Sequence, residues 1–174
     1  NWIVTTLAGL AGNFGSADGT NSDARFNIPG SVAVDSADNV YVADVLNNLI
    51  RKMTLIGTNW VVTTFAGLGG IYGSTEGTGL DARFLNPSGV ALDAYGIVYV
   101  ADQLNHTIRK VTPEGDVTTL AGLAGYGGSA DGTGSEARFG NPSGVAVDSE
   151  GNVYVADTAN CTIRRVTPAG VVTT

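Results

Sequence analysis

The sequence predicts an all-β protein assembled from one unit written three times. Three observations lead there. The segment "NIPGSVAVDSADNVYVAD" (27–44) returns as "LNPSGVALDAYGIVYVAD" (85–102) and as "GNPSGVAVDSEGNVYVAD" (140–157), and the "YVAD" blocks begin at Tyr41, Tyr99 and Tyr154, steps of 58 and 55. The chain of 174 residues holds 25 glycines without collagen spacing, which marks many turns and hence many short strands. Side chains alternate with period two in the middle of each unit, and no helical period is found.

The last unit shows each element in order. "GVAVD" (144–148) is a short apolar strand, and "SEGN" supplies a glycine turn. "NVYVAD" (152–157) is a second strand, with Val153 and Val155 on one face and Tyr154 and Ala156 on the other. After the loop "TANC", "TIRRVT" (162–167) is a third strand, closed by Pro168 and Gly170. "VVTT" (171–174) is a fourth, whose earlier copies run on as "VTTLAG". A single helical turn is expected at "SEARF" (135–139), capped by Ser135 or Glu136. The three extra residues of the longer step fall in "TLIGTNWVVTT" (54–64), between periodic segments, where they lengthen a loop.

Four antiparallel strands in about 50 residues is the pattern of a β-propeller blade. "GVAVD" suits the crowded inner strand. "TIRRVT" reads as a more exposed outer strand, with Arg51, Lys52, Arg109, Lys110, Arg164 and Arg165 as charges that discourage edge-to-edge pairing. The blades fall at about 10–64, 65–119 and 120–174, with residues 1–9, "NWIVTTLAG", as an extra outer strand. The blocks of the type "NPSGVAVDSEGNVYVADTANCTIRRVTPAGVVTT", joined by "LAGLAGYGGSADGTGSEARFGNPSG", resemble NHL repeats of the bacterial style over nearly the whole chain. The first repeat departs at Ile28, where Asn86 and Asn141 stand, and at Gly30-Ser31, which inverts Ser88-Gly89; its turn geometry is open. The resemblance implies a propeller, usually of six blades. Three four-stranded blades are then half a ring, completed by a second copy or by the rest of a longer chain. Three blades alone leave two apolar faces to be covered.

Composition excludes several functions. Net charge is −7 and only Lys52 and Lys110 are lysines, so the cationic surface that nucleic acid requires is lacking. No apolar run approaches the roughly 18 residues of a membrane-spanning helix, so membrane insertion is not expected. Cys161 is the single cysteine and reads as a small filler; it forms no internal disulfide. His106 is the single histidine, which rules out a multi-histidine metal centre within this chain.

Candidate sites are each weighed against a plainer role. The loops "SADGTNSD" (16–23), "STEGTGLD" (74–81) and "SADGTGSE" (129–136) carry acids in the manner of calcium ligands, but without EF-hand order; polar turns explain them more simply. Arg25, Arg83 and Arg138 of "ARF" are expected to pair with the strand-end aspartates Asp35, Asp93, Asp148 or Asp44, Asp102, Asp157, pinning the long connection over the blade. A set repeated three times suits structure better than catalysis. "NHT" and "NCT" place N-glycosylation sequons on Asn105 and Asn160. Trp2 and Trp60 occupy one register and read as packing residues; Tyr72 and Tyr126 lie in the long connection, where aromatic rings stack on a sugar or an extended peptide.

No catalytic residue, cofactor or metal ligand is assigned. The relatives implied by the resemblance include lyases with several histidines and lactonases with a channel metal held by Glu and Asn. Here Glu76, Glu114, Glu136 and Glu150 all fall in loops or turns. The expectation is a non-catalytic scaffold binding a protein or glycan, extracellular or at the cell surface, with a metal-dependent propeller hydrolase or lyase as the alternative.

Overall fold

The computed structural model describes residues 2–174. It forms three antiparallel sheets of five strands each, with no α-helix among the described residues. The first sheet holds β1 (Gly19–Thr20), β2 (Pro29–Val34), β3 (Val40–Asp44), β4 (Leu49–Ile56) and β5 (Asn59–Ala66). The second holds β6 (Gly77–Thr78), β7 (Pro87–Leu92), β8 (Val98–Asp102), β9 (Thr107–Val111) and β10 (Asp116–Gly122). The third holds β11 (Gly132–Thr133), β12 (Pro142–Val147), β13 (Val153–Asp157), β14 (Thr162–Val166) and β15 (Val171–Thr173). In each sheet the order is the short strand, then the fourth, third, second and first long strands.

The four expected strands per blade form, and a fifth joins them. Its two residues, Gly-Thr from the long connection, pair with the last long strand, as in Gly19↔Val62 and Gly132↔Val172. Two residues are too short for hydrophobic alternation to reveal. They also move the third strand inward from the edge, which corrects the outer-strand reading of "TIRRVT". The expected helical turn is a 3-10 turn at Gly134–Glu136, and its cap is Thr133, not Ser135 or Glu136. Residues 2–7 form no strand among the described residues, because no third strand lies beside them; Trp2 is fully exposed while Trp60 is half-buried in β5. Asn1 lies outside the described residues.

Packing is between sheets. Tyr41, Ala43, Ile50 and Ala66 of the first sheet meet Phe84, Val90, Val98 and Val100 of the second. Tyr99, Ala101, Ile108 and Ala121 of the second meet Phe139, Val153, Val155 and Val166 of the third. One face of every blade is thus a Tyr/Ile face and the other a Val/Phe face, as period two requires. The inner strands β2, β7 and β12 lie side by side. There Ser88 Oγ donates to Ser143 O at 2.9 Å, and Val90 N donates to Ser31 Oγ at 3.3 Å. A Cβ on Gly89 would stand 2.5 Å from Ser143 O, so the close approach of β7 to β12 depends on glycine at that position.

The inverted Gly30-Ser31 of the first repeat leaves the turn unchanged. Ile28 takes φ 53°, as Asn86 and Asn141 do at 53° and 50°. A β-branched residue in the left-handed region is strained, and here the surrounding repeat enforces it.

Candidate functional site

Each blade contains the same buried polar cluster. The second strand ends in an aspartate: Asp44, Asp102 or Asp157, all fully buried. A 3-10 turn follows and brings an asparagine back beneath it. Asn47, Asn105 and Asn160 each donate to that carboxylate at 2.7 Å, and to Gly15 O, Gly73 O and Gly128 O in the long connection at 2.6 to 2.7 Å. The third strand then supplies a fully buried arginine. Arg51, Arg109 and Arg164 reach the same carboxylates at 2.9, 3.0 and 3.1 Å. The remaining carboxylate oxygen accepts a backbone N–H from Asn27, Leu85 or Gly140.

The guanidinium fastens the connection. Arg51, Arg109 and Arg164 donate to Arg25 O, Arg83 O and Arg138 O at 2.9 to 3.1 Å and lie over the rings of Phe26, Phe84 and Phe139 at 5.3 to 5.4 Å. In the outer two blades a second carboxylate joins: Asp18 at 2.7 Å from Arg51 and Asp131 at 2.5 Å from Arg164. In the middle blade Glu76 stands at that place. Its longer side chain accepts from Thr119 N instead, and Arg109 bonds Thr75 O. The middle guanidinium therefore has a single carboxylate.

Burial dominates the acidity of Asp44 and Asp102. It pushes Asp44 up, and it pushes Asp102 up to about 6 against the bonds from Asn105 and Arg109. Asp131, partly open to solvent, is held below the usual carboxylate range by Arg164. The hairpin-turn aspartates belong to another device. Asp148 accepts from Asn152 and Glu150 N–H, and these bonds lower it. For Asp35 burial acts upward, but the bonds from Asn39 and Ala37 outweigh it. Tyr99 is pushed up to about 12 by burial and by Asp93, to which its hydroxyl donates at 3.1 Å.

These contacts revise the expected pairs. Arg25, Arg83 and Arg138 do not reach Asp35, Asp93, Asp148, Asp44, Asp102 or Asp157; they donate to carbonyls of their own 3-10 turn, such as Ser22, Leu80 and Ser135. The extended "ARF" backbone turns each of these side chains to the rim and each carbonyl inward. The connection is pinned, but by the third-strand arginine gripping that carbonyl. Arg51, Arg109 and Arg164 are accordingly not edge charges; Lys52, Lys110 and Arg165, one residue on, keep outward positions. The spacing Asp-x2-Asn-x3-Arg stands in all three units and could have revealed the cluster.

The sequon asparagines Asn105 and Asn160 belong to the same cluster. Both Nδ2 protons of Asn105 and of Asn160 are engaged in the cluster, so a glycan there would break it and meet the connection. Among the described residues no group of three or more His, Cys, Asp or Glu is placed to hold a metal ion. In the acidic loops Asp18 and Asp131 face arginine. The inner strands, "PGSVAV", "PSGVAL" and "PSGVAV", carry no ionisable side chain.

The solvent-facing chemistry lies at the tips of the long connections. Leu10↔Asn13, Leu68↔Ile71 and Leu123↔Tyr126 each close a tight turn, and Phe14, Tyr72 and Tyr126 stand exposed there.

The repeated unit matches the NHL repeat model over residues 26–53 and 139–165. The chain belongs to the NHL-repeat family. NHL repeat-containing protein 2 of Homo sapiens is 30% identical over 156 residues, covering 81% of this chain and 21% of that protein. An auxiliary nutrient binding protein from Bacteroides ovatus superposes with TM-score 0.73 at 26% identity, over 83% of this chain and 38% of that one. Virginiamycin B lyase from Staphylococcus aureus superposes with TM-score 0.57 at 16% identity, over 83% of this chain and 40% of that one, which shows a shared fold alone. The chain spans 9% to 21% of the lengths of the first curated relatives it matches. No described helix is long and apolar enough to cross a membrane.

Proposed function

We propose that this NHL segment is a non-catalytic scaffold that binds a protein or glycan ligand through its connection tips, outside the cell or at its surface. One observation carries the reading. The strand-end aspartates and the buried third-strand arginines of all three blades are engaged in the interior clusters, the neighbouring Lys52, Lys110 and Arg165 point outward, and the inner strands carry no ionisable side chain. Among the residues that differ between blades, Phe14, Tyr72 and Tyr126 of the long connections face solvent. Exposed aromatic rings at the tips suit a ligand with apolar faces, such as an oligosaccharide or peptide. The superposition on an auxiliary nutrient binding protein supports a binding role.

The test is a glycan and peptide array probed with the chain and with a Phe14→Ala/Tyr72→Ala/Tyr126→Ala variant. Lost binding at an unchanged melting midpoint is expected. Binding that survives the triple change, or a stoichiometric divalent-metal site in calorimetry with hydrolysis of a lactone or ester, would overturn the reading.

A further inference from the structure

His106, the single histidine of the sequence, stands in the joint between the second and third blades. It follows the 3-10 turn after β8 and takes the left-handed conformation, φ 59°. From there its ring crosses to the third blade, where Asn141 N donates to Nδ1 at 3.3 Å. The joint between the first and second blades is built alike around Asn48, φ 57°, whose Oδ1 accepts from Asn86 N at 2.9 Å. One joint therefore rests on an amide oxygen, which does not titrate. The other rests on an imidazole nitrogen, which does.

That bond fixes the state of the ring. A nitrogen that accepts from a backbone N–H carries no proton of its own, so the neutral ring of His106 holds its hydrogen on Nε2. A proton added at Nδ1 occupies the lone pair that Asn141 N uses and sets two N–H groups against each other. The imidazolium has no acceptor left with which to make the joint.

The third connection leans on the same turn. Its tip, closed by Leu123 and Tyr126, donates from Gly125 N to Asn105 O at 3.3 Å. The His106 ring lies on Gly127, where a Cβ would stand 3.3 to 3.5 Å from Cε1, Nδ1 and Nε2. Gly127 holds the sequence position of Phe14 and Tyr72 in the other two connections. A side chain there would press on the imidazole, so the histidine and the glycine are a matched pair.

The charged groups around the ring are engaged elsewhere. On its own blade, Asp102 is bound to Asn105 at 2.7 Å and to Arg109 at 3.0 Å. On the third blade, Asp157 accepts from Gly140 N at 2.6 Å, and Arg138 turns its guanidinium to Ser135 O and Ala137 O. Among the described residues no carboxylate forms an ion pair with His106, so none is set to hold an imidazolium in the closed joint.

We propose that His106 is a proton-operated latch between the second and third blades. With Nδ1 unprotonated it closes on Asn141 and seats the third tip; protonation at Nδ1 opens the joint and releases the tip that carries Tyr126. The joint at Asn48 stays closed in both conditions. A loss of ligand in acid would rest on the reading of the tips given above; the latch itself does not.

The test is amide hydrogen exchange by NMR on the chain and on His106→Asn at about pH 7.5 and about pH 5, expressed as protection relative to an unstructured peptide at the same pH, with a nitrogen spectrum of the imidazole at the higher value. His106→Asn copies the Asn48 joint and keeps an acceptor that gains no proton. Asp102, raised to about 6, titrates in the same interval but is present in both chains, so their difference isolates His106. The Nε2–H tautomer is expected at the higher pH. On acidification protection at Asn141 and Gly125 should fall about tenfold in the chain and hold in the variant, with Asn86 steady in both. An Nδ1–H tautomer, or an equal change in the two chains, would overturn the latch. Neither readout uses a ligand, so a failure of tip binding and a failure of the latch are told apart.

Discussion

Replacing Arg109 with methionine removes a guanidinium but keeps its unbranched stem. The change strands Asp102, whose carboxylate is fully buried and has no other cation within reach. It also releases Arg83 O and Thr75 O, which Arg109 holds at 3.1 and 3.3 Å. Removing one member of a buried pair costs roughly 3–5 kcal/mol, because the other charge remains desolvated. For a chain of this size each kcal/mol moves the melting midpoint by about 2–4 °C, so Arg109→Met should fall by about 6–20 °C. Arg83→Ala is the internal control. Its guanidinium bonds two rim carbonyls and its loss should cost about 1 kcal/mol or less. The assay is calorimetry at pH 7 on both variants and on Arg109→Met/Asp102→Asn. The double change should recover at least about 1 kcal/mol of the single loss, since a neutral amide replaces the stranded charge. A midpoint for Arg109→Met no lower than that of Arg83→Ala would refute the claim that the third-strand arginine holds the connection.

Three further outcomes follow from the same geometry. Ile28→Asn places at φ 53° a residue that tolerates it, as Asn86 does, and should stabilise the chain by about 1 kcal/mol in urea titration; a lower midpoint would count against strain there. Gly89→Ala drives a methyl against Ser143 O and Val145 N, at 2.5 and 3.1 Å, and should cost about 1–3 kcal/mol by forcing β7 from β12; an unchanged melt would mean the inner strands move freely. Asp102 is raised from 3.8 to about 6, so its stabilising contribution is complete below about pH 3.8 and is lost as pH rises through 6. That shift corresponds to about 3 kcal/mol. The stability of the chain relative to Asp102→Asn should therefore rise as pH falls from 7 to 4.5, and a flat difference would show that Asp102 is not so perturbed. Asp131 and Asp148 run oppositely, losing their contribution only as pH falls below 3.8.

Period, the four long strands of each unit and face assignment were legible because each is local. Alternation at Val153, Tyr154, Val155 and Ala156 fixes two faces of one strand whatever lies against them. The two-residue strands β1, β6 and β11 were not legible, since a Gly-Thr pair has no pattern and becomes a strand only when a fourth strand lies beside it. Both arginines of each unit were visible as charges. Which one goes inside was not, because sequence spacing does not tell which way an extended "ARF" segment turns its side chain and its carbonyl.

By itself the sequence determined that this is a run of three like units rich in short strands, with a net charge of −7 and only two lysines. Only the tertiary structure decided that Arg51, Arg109 and Arg164 are the buried locks and that Asn105 and Asn160 are engaged within them. The reason is range. Strand identity rests on neighbours one or two residues away, whereas a buried guanidinium is chosen by groups 7 to 34 residues distant, which meet only when the blade closes.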